Sequence, residues 1–172
     1  MRISHSRRNV ELKAKDPDPG RSRAICEELG AEDRGVLSQR DTYFRVPNGR
    51  LKLREDGGPP AELIAYTRAD LPGESESAYR IVEVAQPEEL RQALAETLGI
   101  EVVVEKRRHL FLWQNVRIHL DEVEGLGNFI ELEAVATPGS DLTREQQQIQ
   151  ALRDAFDIDE KHLIAQSYCD LV

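Results

Sequence analysis

The sequence has few cysteines, few bases relative to acids and no long apolar run. Its 172 residues include 2 cysteines, and 32 acidic residues against 23 basic ones give a formal net charge of -9. A net negative charge disfavours binding to nucleic acids or anionic membranes, because both need a positive field over the contact surface. We therefore expect neither partner. Any anion that the protein binds must be held by cations placed locally.

The two cysteines, Cys26 and Cys169, lack the spacing of a metal site and lie in segments that favour helix. We therefore expect free thiols rather than a disulfide. No apolar run approaches the roughly 18 residues that a membrane span needs, and residues 1–8 lack the apolar centre of a signal peptide. The expected location is the cytoplasm.

Length and composition fit one domain with a sizeable core. Hydrophobic residues make up 40% of the chain and charged residues 32%, which is ordinary for a soluble globular protein. A single domain over residues 1–172 is therefore expected.

Strict alternation of polar and apolar residues recurs along the chain and predicts strands, because successive side chains of a strand point to opposite faces. The predicted strands are residues 9–15, 39–44, 50–55, 62–68, 78–85, 102–113, 115–122 and 128–135. Helical spacing predicts helices over residues 21–29, 87–98 and 143–156, and a last helix at about 160–171. Thr143 is expected as the N-cap of the third helix, with Gln146 completing a capping box. The chain is therefore predicted to be α+β, mainly β, with mostly hairpin-linked strands.

Charges on the polar faces of these strands are segregated by sign. The terminal strands and the segment near Asp121 carry the acids, which include Glu11, Glu131 and Glu133. The middle strands carry the bases, which are Arg50, Lys52, Arg54, Arg68, Lys106, Arg108 and Arg117. A face that meets solvent is the commonest cause of alternation, but such a face usually mixes both signs. If the sheet closes with these faces inward, a cationic wall for several phosphates faces a carboxylate cluster suited to Mg²⁺ or Mn²⁺.

A series of short motifs follows in order along nearly the whole chain. They are residues 9–15 (NVELKAK), 41–44 (DTYF), 49–54 (GRLKLR), 104–108 (VEKRR), 120–127 (LDEVEGLG), 129–133 (FIELE) and 167–171 (SYCDL). This ordered set resembles the CYTH superfamily of triphosphate tunnel metalloenzymes, which includes class IV adenylyl cyclases, thiamine triphosphatases and inorganic triphosphatases. Asn9 departs from the opening E-x-E-x-K signature, because it stands where the first glutamate is found.

The resemblance implies a closed tunnel of eight antiparallel strands with helices packed outside. It implies that inward bases grip a triphosphate, namely Lys13, Lys52, Arg54, Arg68, Lys106, Arg108 and Arg117. It also implies that divalent metal, Mg²⁺ or Mn²⁺, is held by Glu11, Glu131 and Glu133. Asn9 can still offer a carbonyl oxygen to a hard cation but brings no charge, which leaves one or two metal ions open. A homodimer is a further expectation from the resemblance.

Lys13, Asp121 and His119 are the candidate catalytic residues. Asp121 is expected either to reach the metal or to orient a base. His119 falls on the inward face, where it would transfer a proton, contact the substrate or serve as a hydrogen-bonded structural residue.

Three functions are consistent with these residues. A cyclase would convert ATP to cyclic AMP and pyrophosphate, and the GRLKLR and GLG stretches favour it because they look most like bacterial class IV adenylyl cyclase-like proteins. A triphosphatase would hydrolyse inorganic tripolyphosphate, thiamine triphosphate or a nucleoside triphosphate. A non-catalytic nucleotide or polyphosphate sensor would keep the basic wall after losing part of the metal site, and Asn9 is the residue that raises this hypothesis.

Overall fold

Eight antiparallel strands close into a barrel in the computed structural model, which describes residues 7–68 and 73–172. The strands are β1 Arg7–Lys15, β2 Glu32–Phe44, β3 Arg50–Glu55, β4 Ala61–Arg68, β5 Ser75–Val84, β6 Ile100–Trp113, β7 Val116–Val123 and β8 Gly127–Val135. Around the barrel the order is β1, β5, β4, β3, β2, β6, β7 and β8, and β8 pairs again with β1. The prediction of a closed, eight-stranded antiparallel barrel in an α+β, mainly β fold is confirmed.

The α-helices of the described residues pack on the outside of the barrel; they are α1 Pro19–Glu28, α2 Pro87–Leu98 and α3 Thr143–Ala155. Cys26 of α1 and Leu152 of α3 are buried against outward-facing residues of β1, β7 and β8. On another side of the barrel, Leu90 of α2 packs near the buried Phe44 and Leu53. No described helix is long and apolar enough to cross a bilayer.

The alternation of polar and apolar residues therefore separates the barrel interior from a buried outer layer. In β1, outward-facing Leu12 and Ala14 are at most 1% exposed beneath the helices. Inward-facing Asn9, Glu11 and Lys13 line a cavity. Because fully burying a leucine side chain contributes roughly 1.5–3 kcal/mol, the outer layer rather than the polar interior stabilises the barrel.

Two strands begin three or more residues earlier than the alternation predicts. β2 starts at Glu32 rather than at residue 39. A register shift between Asp33 and Val36 interrupts its pairing with β6, and Gly35 has a φ of 86° there. Such an irregularity breaks the period of two by which the strand would have been recognised. β5 starts at Ser75 rather than at residue 78, because its first residues pair with β1.

The prediction of a last helix at about residues 160–171 is wrong. That segment forms two 3₁₀ turns, Glu160–His162 and Tyr168–Asp170, with extended chain between them. The Ile164 backbone N–H donates to the carbonyl oxygen of Lys13 at 2.9 Å. Backbone pairing with β1 thus replaces hydrogen bonds that a helix would make, and tertiary contacts override the local pattern.

The predicted capping box at the start of the third helix is also wrong. Leu142 is the N-cap residue of α3, with a φ of 68°, and Thr143 is the first helical residue. The Thr143 backbone N–H donates to Asp141 Oδ1 at 3.0 Å. Gln146 N donates to the Leu142 carbonyl at 2.9 Å. At the start of α3, the Asp141 side chain therefore accepts a backbone hydrogen bond, and the Thr143 side chain is not the cap.

Candidate active site

A cavity of about 490 Å³ occupies the barrel interior and is lined by inward-facing residues of all eight strands. Its lining changes in character along the strands. On β6, the buried Lys106 and Arg108 are followed by the half-buried Leu110 and Leu112. The cavity therefore has a deep cationic part and a more exposed part, in which apolar side chains lie together with Arg7, Arg34 and Arg117. We call the latter the apolar mouth, which is defined by Leu37, Ile81, Leu110 and Leu112.

The other end of the cavity is covered by the C-terminal 3₁₀ turn. Tyr168 is 4% exposed and donates its hydroxyl to Asp121 Oδ2 at 2.8 Å. Lys13 Nζ lies 3.9 Å from the centroid of the Tyr168 ring. An ion pair of 2.6 Å between Arg50 Nη2 and Asp170 Oδ2 anchors the turn to β3. Arg50 therefore holds the turn in place.

Three bases of the deep part converge on the carboxylate of Asp41, which is 1% exposed. Arg54 donates to both oxygens, at 2.8 Å from Nε to Oδ1 and 2.7 Å from Nη2 to Oδ2. Lys52 Nζ and Lys106 Nζ each lie 2.9 Å from Asp41 Oδ2. The register produces this arrangement, because Asp41 stands directly opposite Arg54 in the β2–β3 pair. We call these four residues the Asp41 cluster.

Ionisation within the Asp41 cluster reflects a balance between burial and charge. Burial disfavours the charged carboxylate, but the three neighbouring cations outweigh it and hold the pKa of Asp41 well below its usual range. Burial and repulsion from Arg54 lower the pKa of Lys52. Burial, joined by the neighbouring cations and opposed by Asp41, lowers the pKa of Lys106 to about 7. Lys106 is therefore poised to lose its proton near neutral pH.

Asp41 is absent from the site residues that the sequence predicts. A signal for it was available, because Asp41 alternates with Gln39 and Tyr43 and so shares their inward face. It also opens one of the motifs on which the family resemblance depends. The segregation of charge predicts a site from the bases alone. An acid on the same face as several bases is expected to be their counter-ion.

Asp121 holds Arg108 in the same way that Asp41 holds Arg54. Arg108 Nε and Nη2 donate to the two oxygens of Asp121, each at 2.7 Å. Burial opposes ionisation of Asp121, but Arg108 outweighs it and lowers the pKa of Asp121. Of the two roles expected for Asp121, these contacts favour the orientation of a basic side chain, since its oxygens already accept bonds from Arg108 and Tyr168.

Glu131 lies among Lys13, Arg108 and His119. Its Oε2 is 3.9 Å from Lys13 Nζ, and its Oε1 is 3.9 Å from His119 Nδ1. Burial opposes ionisation, yet Lys13 and Arg108 hold the pKa of Glu131 well below its usual range. Burial, reinforced by Arg108, lowers the pKa of His119 to about 3, so its imidazole is neutral. His119 Nδ1 is buried and has no hydrogen-bond partner within residues 7–68 and 73–172.

The carboxylates predicted to bind metal lie side by side on the β1–β8 pair. Glu11 stands opposite Glu133, and Glu131 is two residues away on the same strand face. Glu133 accepts a hydrogen bond of 2.5 Å from Asn9 Nδ2 and lies 3.6 Å from Arg117 Nη1. In the part of the chain that the structure describes, no three His, Cys, Asp or Glu side chains converge closely enough to hold a metal ion. Glu131 and Glu133 instead contact cations and an amide of the protein.

The oxygen donors of this region nevertheless fit a hard divalent cation. Mg²⁺ and Mn²⁺ prefer carboxylate and carbonyl oxygens. Asn9 Oδ1 is such an oxygen, and it is buried beside Glu133 without a hydrogen-bond partner among the described residues. Leaving a buried acceptor unpaired costs about 1–3 kcal/mol, and a bound cation would relieve that cost. Glu11, Glu131 and Glu133 would hold the ion, with Asn9 as an uncharged donor.

The remaining predicted phosphate-binding bases differ in position. Arg117 lines the cavity with its side chain 39% exposed, so it lies nearer to solvent than the buried bases. Arg68 ends β4, but its side chain lies outside the described residues. The other predicted bases all line the cavity; they are Lys13, Lys52, Arg54, Lys106 and Arg108.

A family model for the CYTH domain matches residues 7–168. The chain belongs to the CYTH family. The CYTH triphosphate tunnel metalloenzymes use divalent metal ions. A relative from Methanocaldococcus jannaschii, named "Putative adenylate cyclase MJ0240", is 26% identical over 179 residues, which cover 94% of this chain and 97% of that protein.

Solved structures share the CYTH tunnel fold at low identity. The PH1012 protein from Pyrococcus horikoshii superposes with a TM-score of 0.78 at 23% identity, covering 95% of this chain and 99% of that one. The protein named "Putative adenylyl cyclase HpAC1" from Hippeastrum gives a TM-score of 0.63 at 15% identity, covering 94% of this chain and 91% of that one. At these identities the likeness shows the fold.

Proposed function

We propose that this CYTH protein is a divalent-metal-dependent enzyme that holds the triphosphate of its substrate in the tunnel. The favoured reaction converts ATP to cyclic AMP and pyrophosphate. The observation that carries the proposal is a single cavity in which buried cations lie deep and apolar side chains line the mouth. The proposal includes a single domain over residues 1–172, a cytoplasmic location, Mg²⁺ or Mn²⁺ as the metal, and a homodimer.

The deep cations support a polyphosphate as the ligand. Lys13, Lys106 and Arg108 are each at most 6% exposed. A chain with a net charge of -9 that buries several cations in one cavity has concentrated its positive potential there. Asp41, Asp121 and Glu131 pair with these cations, but the bases of the deep part outnumber the three acids, which leaves positive charge for a bound anion. A triphosphate supplies several phosphate groups in a row, which matches bases distributed over β1, β3 and β6.

The apolar mouth supports a triphosphate that carries an organic group. Leu37, Leu110 and Leu112 are half-buried on neighbouring β2 and β6, and Ile81 is half-buried on β5. Inorganic tripolyphosphate offers these side chains no apolar surface. The base of a nucleotide can cover them while its phosphates reach the cations, and burial of apolar area then adds to the affinity.

In the cyclase reaction, the 3′ oxygen of the ribose attacks the α-phosphorus and pyrophosphate leaves. Arg54 and Arg108 are held by Asp41 and Asp121, so they are oriented before the substrate binds and can stabilise charge on the leaving group. Neutral His119 can accept the proton of the attacking hydroxyl, once the bound phosphates raise its low pKa. A divalent ion held by Glu11, Glu131 and Glu133 would supply Lewis-acid activation of phosphate oxygens.

A triphosphatase is the second candidate, because the same neutral imidazole and oriented cations can serve attack by water. The Hippeastrum protein, whose fold is similar, is reported to have a dominant triphosphatase activity. A non-catalytic binding protein is the third candidate. It draws support from Asn9 and from carboxylates that contact the protein's own cations and amide.

Product identification separates the three candidates. The purified protein is incubated with Mg²⁺ or Mn²⁺ and either ATP or tripolyphosphate, and the products are identified by chromatography. The proposed reaction yields cyclic AMP and pyrophosphate from ATP. Release of orthophosphate from either substrate supports the triphosphatase. If neither product appears while calorimetry shows tight polyphosphate binding, both enzyme functions fail.

A further inference from the structure

We propose that Asp41 is a positioning residue for triphosphate binding, which keeps Lys52 and Lys106 charged and holds Arg54 in one orientation. The inference rests on the proposed binding of a triphosphate in the tunnel, but on neither the cyclase nor the triphosphatase reaction. Asp41 would act through these three cations and without contacting the substrate itself.

The geometry fixes Asp41 in this indirect role. Its Oδ2 accepts from Arg54 Nη2 at 2.7 Å and from Lys52 Nζ and Lys106 Nζ at 2.9 Å each. Its Oδ1 accepts from Arg54 Nε at 2.8 Å. A carboxylate that is 1% exposed and accepts four hydrogen bonds has little capacity left for a proton or a metal ion. Its contacts with the described residues are therefore consistent with a counter-ion.

Asp41 is the anion that hydrogen-bonds Lys106, and the nearest cations work against its charge. Lys52 and Arg54 face it from β3, and Arg108 follows it on β6. The Tyr168 ring centroid lies 5.7 Å from Lys106 Nζ. With Asp41 present, the pKa of Lys106 is about 7. Without the carboxylate, burial and three cations would leave Lys106 neutral at neutral pH, and the tunnel would lose a phosphate-binding charge.

Removal of Asp41 has two opposing effects on an anionic ligand. Taking a negative charge out of the tunnel favours the ligand, whereas losing the lysine proton and the fixed Arg54 geometry disfavours it. The two effects separate with pH, since a low pH keeps the lysines charged even when the carboxylate is absent. The proposed role therefore has a pH signature that a purely structural carboxylate lacks.

The experiment measures tripolyphosphate binding by calorimetry for wild type and Asp41→Asn at about pH 6 and about pH 8. The pKa of Lys106 is followed by NMR of ¹³C-labelled lysine and assigned with Lys106→Arg. We expect the pKa of Lys106 to fall by about 1 unit or more in Asp41→Asn, and binding to weaken about tenfold at pH 8 with a smaller loss at pH 6. Asp33→Asn, an exposed aspartate of the same strand, is the matched control and should bind within about twofold of wild type.

An unchanged pKa of Lys106 together with unchanged binding at both pH values would overturn the proposal. If Asp41→Asn does not fold, Asp41→Glu decides, because it keeps the charge but moves the carboxylate by a methylene group. Binding about fivefold weaker or more supports positioning by Asp41, and binding equal to wild type contradicts it. Since tripolyphosphate binding is the readout, failure of the cyclase reaction leaves this test intact, and wild type that binds no tripolyphosphate refutes the proposed function itself.

Discussion

Asn9 Nδ2 donates a hydrogen bond of 2.5 Å to Glu133 Oε1, and this bond leaves Asn9 Oδ1 buried without a partner among the described residues. The Asn9 amide thus donates a hydrogen bond to the Glu133 carboxylate. The CYTH signature has a glutamate at position 9, which would instead repel Glu133. The amide adds no charge to a wall that already contains Glu11 and Glu131. Asn9 therefore reduces repulsion among carboxylates in the metal-free protein, but it offers a metal ion an uncharged oxygen in place of a carboxylate.

The substitution Asn9→Glu is expected to lower the stability of the metal-free protein and to raise its affinity for a divalent metal ion. The new carboxylate would lose the hydrogen bond to Glu133 and repel it, which should lower the free energy of unfolding by about 1–3 kcal/mol in the presence of a chelator. Added Mn²⁺ should raise the melting temperature more in Asn9→Glu than in wild type. Asn9→Gln is the control for size. If Mn²⁺ raises the melting temperatures of Asn9→Glu and Asn9→Gln equally, residue 9 does not contribute to metal binding.

Glu131→Gln and Glu133→Gln are each expected to abolish metal-dependent turnover while the barrel stays folded. Each loses a charged oxygen donor, and the neutral amide leaves the neighbouring cations in place. Turnover is measured with ATP and Mg²⁺ or Mn²⁺, and folding is measured by circular dichroism. Unchanged activity in both variants would refute the metal assignment.

Arg54→Ala should weaken tripolyphosphate binding far more than Arg21→Ala. The Arg54 side chain is 13% exposed and lies inside the tunnel, whereas the Arg21 side chain is 61% exposed on α1. Loss of a buried charged hydrogen-bond donor should raise the dissociation constant by about tenfold or more, and loss of Arg21 by less than about twofold. Calorimetry at one pH and salt concentration makes the comparison. Equal losses would mean that the inward face does not bind the phosphates.

Lys106→Arg is expected to remove a pH dependence of binding. With a pKa of about 7, Lys106 is charged at lower pH in both the free and the bound protein. At higher pH the free protein has lost this proton, whereas the bound anion favours the charged lysine. Affinity for tripolyphosphate should therefore fall as the pH rises above about 7, by up to about tenfold per pH unit.

Arginine stays charged throughout this range, so Lys106→Arg should lack that part of the fall. Titration of tripolyphosphate itself affects both proteins and cancels in the ratio of their dissociation constants. Calorimetry between about pH 6 and about pH 9 gives that ratio. A ratio that is independent of pH would show that Lys106 keeps one protonation state in the free tunnel.

The alternation of residues was sufficient to predict the strands and their polar face, because both faces of β1 and β8 meet strongly different surroundings. The bulge near Gly35 hid the first part of β2, since an irregular register has no period of two. The C-terminal segment could not be predicted locally. Its conformation depends on hydrogen bonding of Ile164 to β1 and on the ion pair of Asp170 with Arg50.

The sequence predicts which bases line the candidate site, but it does not predict which carboxylates they pair with. Lys52, Arg54 and Lys106 follow from the segregation of charge, but that they share the carboxylate of Asp41 depends on the register of β3, β2 and β6. The ionisation of Lys106 likewise follows from burial, which a sequence does not give. Contacts across strands decide these properties, and contacts across strands are set by closure of the whole barrel.

If the C-terminal turn, whose Ser167 and Tyr168 line the cavity, closes its deep end, entry and exit share the apolar mouth. A nucleotide would then enter with its γ-phosphate leading. Under the proposed cyclase reaction, pyrophosphate forms below the cyclic nucleotide and would have to leave after it. The closed end of the cavity, where Tyr168 lies, would thus set the order in which the two products leave.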